Sequence, residues 1–362
     1  MTRTALARFQ ERLTAEGLDG ALIAAPEALS STNLRYLSGF TGSSAYLLIT
    51  PAHAWLLTDF RYLEQARIES PAYDVIRQGK RVADTVADLC QSAHVARLGF
   101  EADKVPYAMW KGWRERIPVI WRPLNQLVEK LRVVKSDEEI QYIRQAAHIA
   151  DEALREVLPT AVGRSERDLA LALEWAMRRR GAESLAFDTI VAAGERGAWP
   201  HARPSDRIIQ PGELLTIDFG AQFHGYKSDE TVTVATGSLS PELRRLVEIV
   251  AEAQAEGIEA VRPGNTARAV DAAARAVIEK AGYAEAFGHG TGHGVGLDIH
   301  EAPYASPDPA NDVTLEPGMT LTVEPGIYLP GVGGCRLEDT LVITETGAER
   351  LTEWPKTFQI LG

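Results

Sequence analysis

Acidic residues set into otherwise apolar, strand-like sequence recur along the second half of the chain. In Leu214-Leu215-Thr216-Ile217-Asp218-Phe219-Gly220 the alternation sends Leu215, Ile217 and Phe219 one way and Thr216 and Asp218 the other. Asp229 opens a further strand, Thr231 to Ala235. With Gln222-Phe223-His224-Gly225 as the loop, the hairpin is expected to set Asp218 directly opposite Asp229, with Cβ atoms about 5 Å apart. Leu321-Thr322-Val323-Glu324 and Leu337-Glu338-Asp339, joined through Pro330 to Gly334, repeat the arrangement, and Glu324 and Glu338 lie near mirror positions about Gly331. Four carboxylates aimed at one place repel each other unless protons or cations intervene. Two divalent ions balance four such charges. An oxygen-rich site with one imidazole suits Mn, Co, Zn or Fe, and bridging carboxylates hold two such ions about 3.5 Å apart.

The imidazole comes from Phe287 to Glu301, where His289, His293 and His300 occur in a glycine-rich run that lets backbone and ligand approach closely. A single hairpin Asp is usually a turn or capping residue, and a lone His is usually structural. The conjunction has no such explanation, because apolar residues would serve stability better at these positions.

These residues need elements to position them. Ser136 stands three residues before Glu139, the pattern of a capping box, and Ile140, Ile143, Ala147, Ala150 and Leu154 follow at helical spacing up to Pro159 and Gly163. A second helix is expected from Ser165 to Arg180, and two more over Pro241 to Val261 and Thr266 to Ala281, with hairpins between. The first third alternates instead. It has an amphipathic run from Thr4 to Glu16, an apolar stretch from Gly20 to Ala25, a turn-rich connection over 34–42, and a strand pair at Ala45 to Ile49 and Ala54 to Thr58. Helix returns after Arg61, followed by a strand at Val119 to Trp121. The expected organisation is an α/β domain over 1–133 and an α+β domain over 134–362.

Composition narrows the functions. The 362 residues, 45% hydrophobic, suffice for two cores. Thirty-eight basic against 50 acidic residues give a net charge of −12, which disfavours a nucleic-acid partner. Cys90 and Cys335 form no disulfide or zinc pattern, charge interrupts the N-terminus, and no run of about 18 apolar residues follows. The expectation is a cytoplasmic protein with no membrane partner.

At these residues the chain resembles the pita-bread-fold metallopeptidases, in their Xaa-Pro branch of prolidases and aminopeptidases P. The resemblance is carried by Thr216 to Gly220, Ser228-Asp229, His289 to Glu301, Val323 to Tyr328 and Arg336 to Thr340. The first third is similar to the creatinase-type N-terminal domain of that branch at Tyr36 to Ser43 and Leu57 to Tyr62. The implied fold is an α/β creatinase-like N-terminal domain followed by an α+β pita-bread catalytic domain.

By this resemblance Asp218 chelates one metal, Asp229 and Glu338 bridge both, and His293 and Glu324 complete the other. Two ions per chain are implied, manganese first, with zinc or cobalt as alternatives. Glu324, His300 and His289 are the implied catalytic groups. His201, His289, His300, Arg336 and Tyr304 are assigned to the substrate site. The ions acidify a shared water, Glu324 carries its proton to the departing imide nitrogen, and His300 steadies the oxyanion.

The implied substrates are small peptides with proline second. A Xaa-Pro dipeptidase is favoured, with aminopeptidase P, acting on Xaa-Pro-Yaa peptides, as the alternative. Methionine aminopeptidases usually lack the N-terminal domain, and metal-free creatinase-like enzymes or binding modules lack the full ligand set. Two departures stand out. Val232 replaces an arginine usual after Asp229, so a basic side chain is expected to be missing beside the site. Tyr304 stands where many dipeptidases carry an arginine that clamps the substrate carboxylate. A homodimer is implied, with the loop at Arg35 and Tyr36 as a candidate clamp lent by a second copy.

Overall fold

The computed structural model describes residues 4–27, 29, 31–356 and 360. The chain divides into two compact units, 1–132 and 133–362.

The first unit is built on six strands: β1 (Gly20–Ala25), β2 (Ala45–Ile49), β3 (Ala54–Thr58), β4 (Asp74–Arg77), β5 (Arg97–Phe100) and β6 (Ile120–Pro123). Their order is β4-β3-β2-β1-β5-β6. The β1–β2 and β2–β3 pairs are antiparallel and the remaining pairs parallel. Alternate residues of the central strands feed two cores. Ala21, Ile23, Leu47 and Leu56 pack with Phe9 and Leu13 of α1 (Ala5–Ala15), Leu34 and Leu37 of α2 (Thr32–Ser38) and, beyond α3 (Leu63–Glu69), α4 (Val82–Ser92) and α5 (Tyr107–Arg114), Leu127 and Leu131 of α6 (Leu127–Arg132). Leu22, Leu48 and Leu57 pack on the other face with Val86 and Cys90 of α4 and Trp113 of α5. Covering both faces of the sheet makes the strands read as continuous apolar runs.

The segment read as a turn-rich connection contains α2. Ser31 caps it by accepting from Leu34 N, and Gly39 ends it at φ +76°, a left-handed conformation that suits glycine. Arg35 and Tyr36 therefore lie on a helix rather than on a loop, and the Tyr36 hydroxyl donates to Leu131 O.

The second unit opens with α7 (Asp137–Val157), held by a capping box between Ser136 and Glu139, and α8 (Glu166–Arg179). Strands β7 (Ser184–Leu185), β8 (Ile190–Ala193), β9 (Leu214–Phe219), β10 (Ala221–Phe223), β11 (Tyr226–Lys227) and β12 (Glu230–Ala235) follow, then α9 (Pro241–Ala260) and α10 (Ala267–Lys280). The remainder comprises β13 (Gly292–Gly294), β14 (Glu301–Ala305), β15 (Thr320–Val323), β16 (Gly326–Leu329), β17 (Gly333–Arg336), β18 (Asp339–Ile343) and β19 (Ala348–Arg350). Leu215, Ile217, Phe219, Val232 and Val234 bury one face of β9 and β12 against α7 and α8. The α9 helix packs on Ile327, Cys335 and Leu337, and α10 helps cover Leu321, Val323 and Leu341.

The opposite faces of these strands are polar. Thr216, Asp218, Asp229, Thr231 and Thr233 share one side of the β9–β12 ladder. Their hydroxyls are satisfied by the ladder and the strand beside it, Thr216 with Thr233 at 3.0 Å and Thr233 donating to Arg336 O of β17 at 2.8 Å. A buried polar face survives only when it is so paired.

Candidate metal centre

The first hairpin positions Asp218 differently from the expectation. Of the expected loop, Gln222 and Phe223 belong to β10, and only His224 (φ 49°) and Gly225 (φ 83°) form the tight turn that joins it to β11. That turn fixes the register, and Asp218 pairs with Thr231, not with Asp229. The two-residue offset keeps Asp229 on the same face, because side chains alternate with period two. The second hairpin pairs Gly326 with Arg336 and Val323 with Asp339, which leaves Glu324 and Glu338 at matching positions between the two ladders. Glu324 N donates to Thr291 O and Glu338 N to Thr231 O, so each hairpin is sewn to its neighbour beside its acid.

His293 enters from β13, where its backbone N–H donates to Thr322 Oγ1. A Cβ on Gly292 would sit 1.9 Å from Thr322 O, so only glycine allows this approach. Asp229, His293 and Glu338 each place one ligand atom within 4.8 Å of the other two, all three residues being buried. His293 Nε2 is 3.5 Å from Asp229 Oδ2 and 3.4 Å from Glu324 Oε1. Asp218, Asp229, His293, Glu324 and Glu338 line one cavity of about 850 Å³.

The electrostatics are those of a site that needs cations. Burial, reinforced by Glu338, Asp218 and Glu324, holds the Asp229 carboxyl well above the usual range. Burial and Glu338 do the same to Glu324. Glu338 is pushed up to about 8, by burial first and then by Asp218. Asp218 is also raised, since burial outweighs the guanidinium of Arg336 at 2.6 Å. Burial and then His300 lower His293 to about 4, so its ring is neutral at pH 7. Its Nδ1 donates to Gly294 O, and Nε2 therefore offers a lone pair toward the carboxylates. Asp218 Oδ1 and Glu338 Oε1 are buried and find no protein donor. An imidazole lone pair facing carboxylates, with orphaned oxygens beside it, fits divalent metal and fits little else.

The other expected residues divide. His201, His289, His300, Tyr304 and Arg336 all line the same cavity. Arg336 is committed to the protein: it donates to Asp218, to Tyr328 OH at 3.0 Å, to Thr231 Oγ1 at 3.1 Å and to Pro200 O. Tyr328 OH in turn donates to His289 Nε2 at 2.9 Å, and His289 Nδ1 donates to Gly290 O. Burial lowers His289 to about 4, consistent with that neutral tautomer. His289 is thus a braced wall of the cavity. His300 is exposed, its ring centroid 4.3 Å from that of His293, and partial burial lowers its pKa.

Val232 corrects the reading of a missing basic side chain. It lies on the opposite face of β12 from Asp229 and belongs to the apolar core, so this position points away from the site.

Several supporting residues escaped the sequence reading. Thr231 donates to Glu338 Oε2 at 2.7 Å, and Asp271 and Arg275 of α10 hold Thr291 and the carbonyls of Phe287 and His289. Glu166, fully buried at the start of α8, accepts from Ala193 N, Arg196 Nε and Ser205, pinning the loop that carries His201 and Arg203. Only Tyr328 had a local signal, since it closes the Glu324 motif.

Residues 141–345 match metallopeptidase family M24, and residues 6–134 match the creatinase/prolidase N-terminal domain. The chain is similar to the Xaa-Pro dipeptidase of Pyrococcus furiosus, 38% identical over 93% of this chain and 94% of that protein. Among solved structures it superposes on the Xaa-Pro dipeptidase from Bacillus anthracis with TM-score 0.94 and 41% identity, over 99% of each chain. It also matches the X-Pro aminopeptidase from Thermotoga maritima MSB8, at TM-score 0.90 and 35% identity over 99% of this chain and 100% of that one. With a creatinase-type N-terminal domain ahead of its catalytic domain, this chain belongs to metallopeptidase family M24.

Proposed function

We propose that this protein is a two-metal Xaa-Pro dipeptidase whose ions are held by Asp218, Asp229, His293, Glu324 and Glu338, within a catalytic domain beginning at 134. The observation that carries the metal reading is the convergence of Asp229, His293 and Glu338 within 4.8 Å, in a cavity shared with Asp218 and Glu324. Four carboxylates with one imidazole are a hard, oxygen-rich donor set, which favours manganese over zinc or cobalt. Bound divalent ions would acidify a water and polarise the carbonyl before proline.

The chain's own groups supply the rest. Glu324, whose proton affinity is raised by burial and then by Glu338, takes a proton from the attacking water and returns it to the imide nitrogen, which leaves only when protonated. His300, neutral near pH 7, donates a hydrogen bond to the carbonyl oxygen as negative charge develops there. Arg336 and Thr231 fix the orientation of Asp218 and Glu338, and His289 with Tyr328 shapes the wall against which substrate rests.

Length selection requires a cation for the dipeptide's carboxylate, and Tyr304 is not one. Arg203 supports the dipeptidase reading. It is exposed, lines the cavity, and among the described residues its guanidinium has no hydrogen-bond or ion-pair partner. The test compares hydrolysis of a Xaa-Pro dipeptide with that of the corresponding Xaa-Pro-Yaa tripeptide, for the unmodified protein and for Arg203→Ala. A dipeptide preference that Arg203→Ala weakens at least about 10-fold is expected, in keeping with the loss of a charge-assisted contact. Faster tripeptide cleavage by the unmodified protein would transfer the assignment to aminopeptidase P.

Two buried thiols, Cys90 and Cys335, suit a reducing cytoplasm. A homodimer remains part of the proposal, and light scattering of the purified protein decides it.

A further inference from the structure

We propose that Lys356 is a positioning residue for the metal centre, tying together from behind the two strands that present Asp229 and Glu338. The inference rests on the metal reading above.

Each of those acids is followed by a second buried acid, Glu230 after Asp229 and Asp339 after Glu338. Successive residues of a strand point to opposite faces, so as Asp229 and Glu338 reach the cavity their neighbours point away from it. Behind the sheet both neighbours meet one ammonium. Lys356 Nζ contacts Glu230 Oε1 and lies 3.6 Å from Asp339 Oδ1, and the side chains are 4%, 1% and 0% exposed respectively. Asp339 is further fixed by Gln254 at 3.0 Å and Thr352 at 2.6 Å. On the near side the same two strands are joined by Glu338 N to Thr231 O at 3.0 Å and Thr340 Oγ1 to Asp229 O at 2.7 Å. The seam between Asp229 and Glu338 is therefore fastened on both faces, and Lys356 is the cation that reaches the acids of both strands, Arg350 Nε lying 3.4 Å from Asp339 Oδ2 alone.

The arrangement is costly for stability alone. Asp151 adds a third buried acid behind the seam, its carboxyl hydrogen-bonded to that of Glu230. A buried ion pair is commonly matched or bettered by apolar residues of the same volume, so its placement directly behind two ligand residues calls for another reason. Outer partners that orient ligand groups contribute about 10- to 100-fold to metal affinity. Lys356 does so through the backbones of β12 and β18 rather than by touching a ligand.

The experiment titrates metal-free protein with Mn²⁺ by calorimetry, for the unmodified chain, Lys356→Met, Lys356→Arg and Glu230→Gln/Lys356→Met. The double variant removes both charges of the pair and so avoids leaving Glu230 ionised alone. Two ions binding the unmodified protein establish the metal reading, and its failure to bind would refute that reading instead. The expected result is affinity at least about 10-fold weaker in the folded double variant and in Lys356→Met, with partial recovery in Lys356→Arg. Thermal unfolding of the metal-free proteins reports stability separately. Unchanged Mn²⁺ affinity in a folded protein lacking the ammonium overturns the proposal. So does a Lys356→Met that cannot fold beside a double variant that folds and binds normally, since the lysine would then serve stability only.

Discussion

At the residue scale, Glu324 is proposed both to hold metal and to move a proton, whereas the other acids are proposed only to hold metal. Its Oε1 approaches His293 Nε2, and burial with Glu338 keeps its proton affinity high. Glu324→Gln keeps the shape and removes both a proposed ligand charge and the group proposed to carry the proton. The fold should persist and turnover should fall by at least about 100-fold, the contribution expected of a general acid-base group alone. Measuring kcat beside metal content by elemental analysis distinguishes the two losses. Near-normal turnover with full metal would show that another group moves the proton. The types of these residues were legible because a carboxylate or imidazole in an apolar strand is chemically out of place. The residues that brace them were not, because Thr231 and Arg336, or Glu230 and Lys356, are partners across more than 100 positions of chain. Neither member of such a pair is unusual where it stands.

At the element scale, the sequence carried faces better than registers. Alternation in β9 assigned Asp218 to the polar face and Ile217 to the core, as found. The pairing depended on where the turn fell, and the left-handed His224-Gly225 pair moved it by two positions. The second hairpin came closer because its turn centres on Gly331, at φ +77°. Short strands such as β4 and β5, four residues each, leave no signal in the sequence because so short a run has no resolvable period. The helix α2 is masked in the sequence because the turn signals at Gly39 and Gly42 directly after it dominate so short a segment. At β13 the close approach of two backbones makes a prediction. Gly292→Ala would drive a methyl into Thr322 O and push β13 from β15. The loss should be about 2 kcal/mol or more in denaturant unfolding, within the range for overpacked interiors. Metal affinity should fall as well, because His293 is the next residue on the displaced strand. A stable variant with unchanged Mn²⁺ binding would mean that the strand yields without moving the ligand.

At the scale of the whole molecule, the metal centre links stability to pH, and the direction follows from the groups that titrate. Carboxyls raised in the fold bind protons more tightly there than in the unfolded chain, where aspartate and glutamate titrate near about 4. Their contribution is fully present below that value and is lost as pH rises through the folded value, about 8 for Glu338, with Asp229 and Glu324 also held well above the ordinary carboxylate range. His289 and His293, lowered to about 4, act in the opposite sense, adding stability as pH climbs to the ordinary histidine value near about 6.5. Across about pH 6.5 to 8 the histidines are neutral in the fold and release only the last half of their protons in the unfolded chain, so the acids dominate. Metal-free protein should therefore become less stable with rising pH across that window, by up to about 1.4 kcal/mol per pH unit for each carboxyl still protonated in the fold. Divalent metal replaces those protons with positive charge that does not titrate away, so the stabilisation by Mn²⁺ should be larger at pH 8 than at pH 6.5. Calorimetric melting of chelator-treated protein at both values, with and without saturating Mn²⁺, reads the difference directly. A metal-free Tm that is flat or rises over this interval, or an equal metal-induced shift at both ends, would mean that the acids are not held together in the fold as the cavity places them.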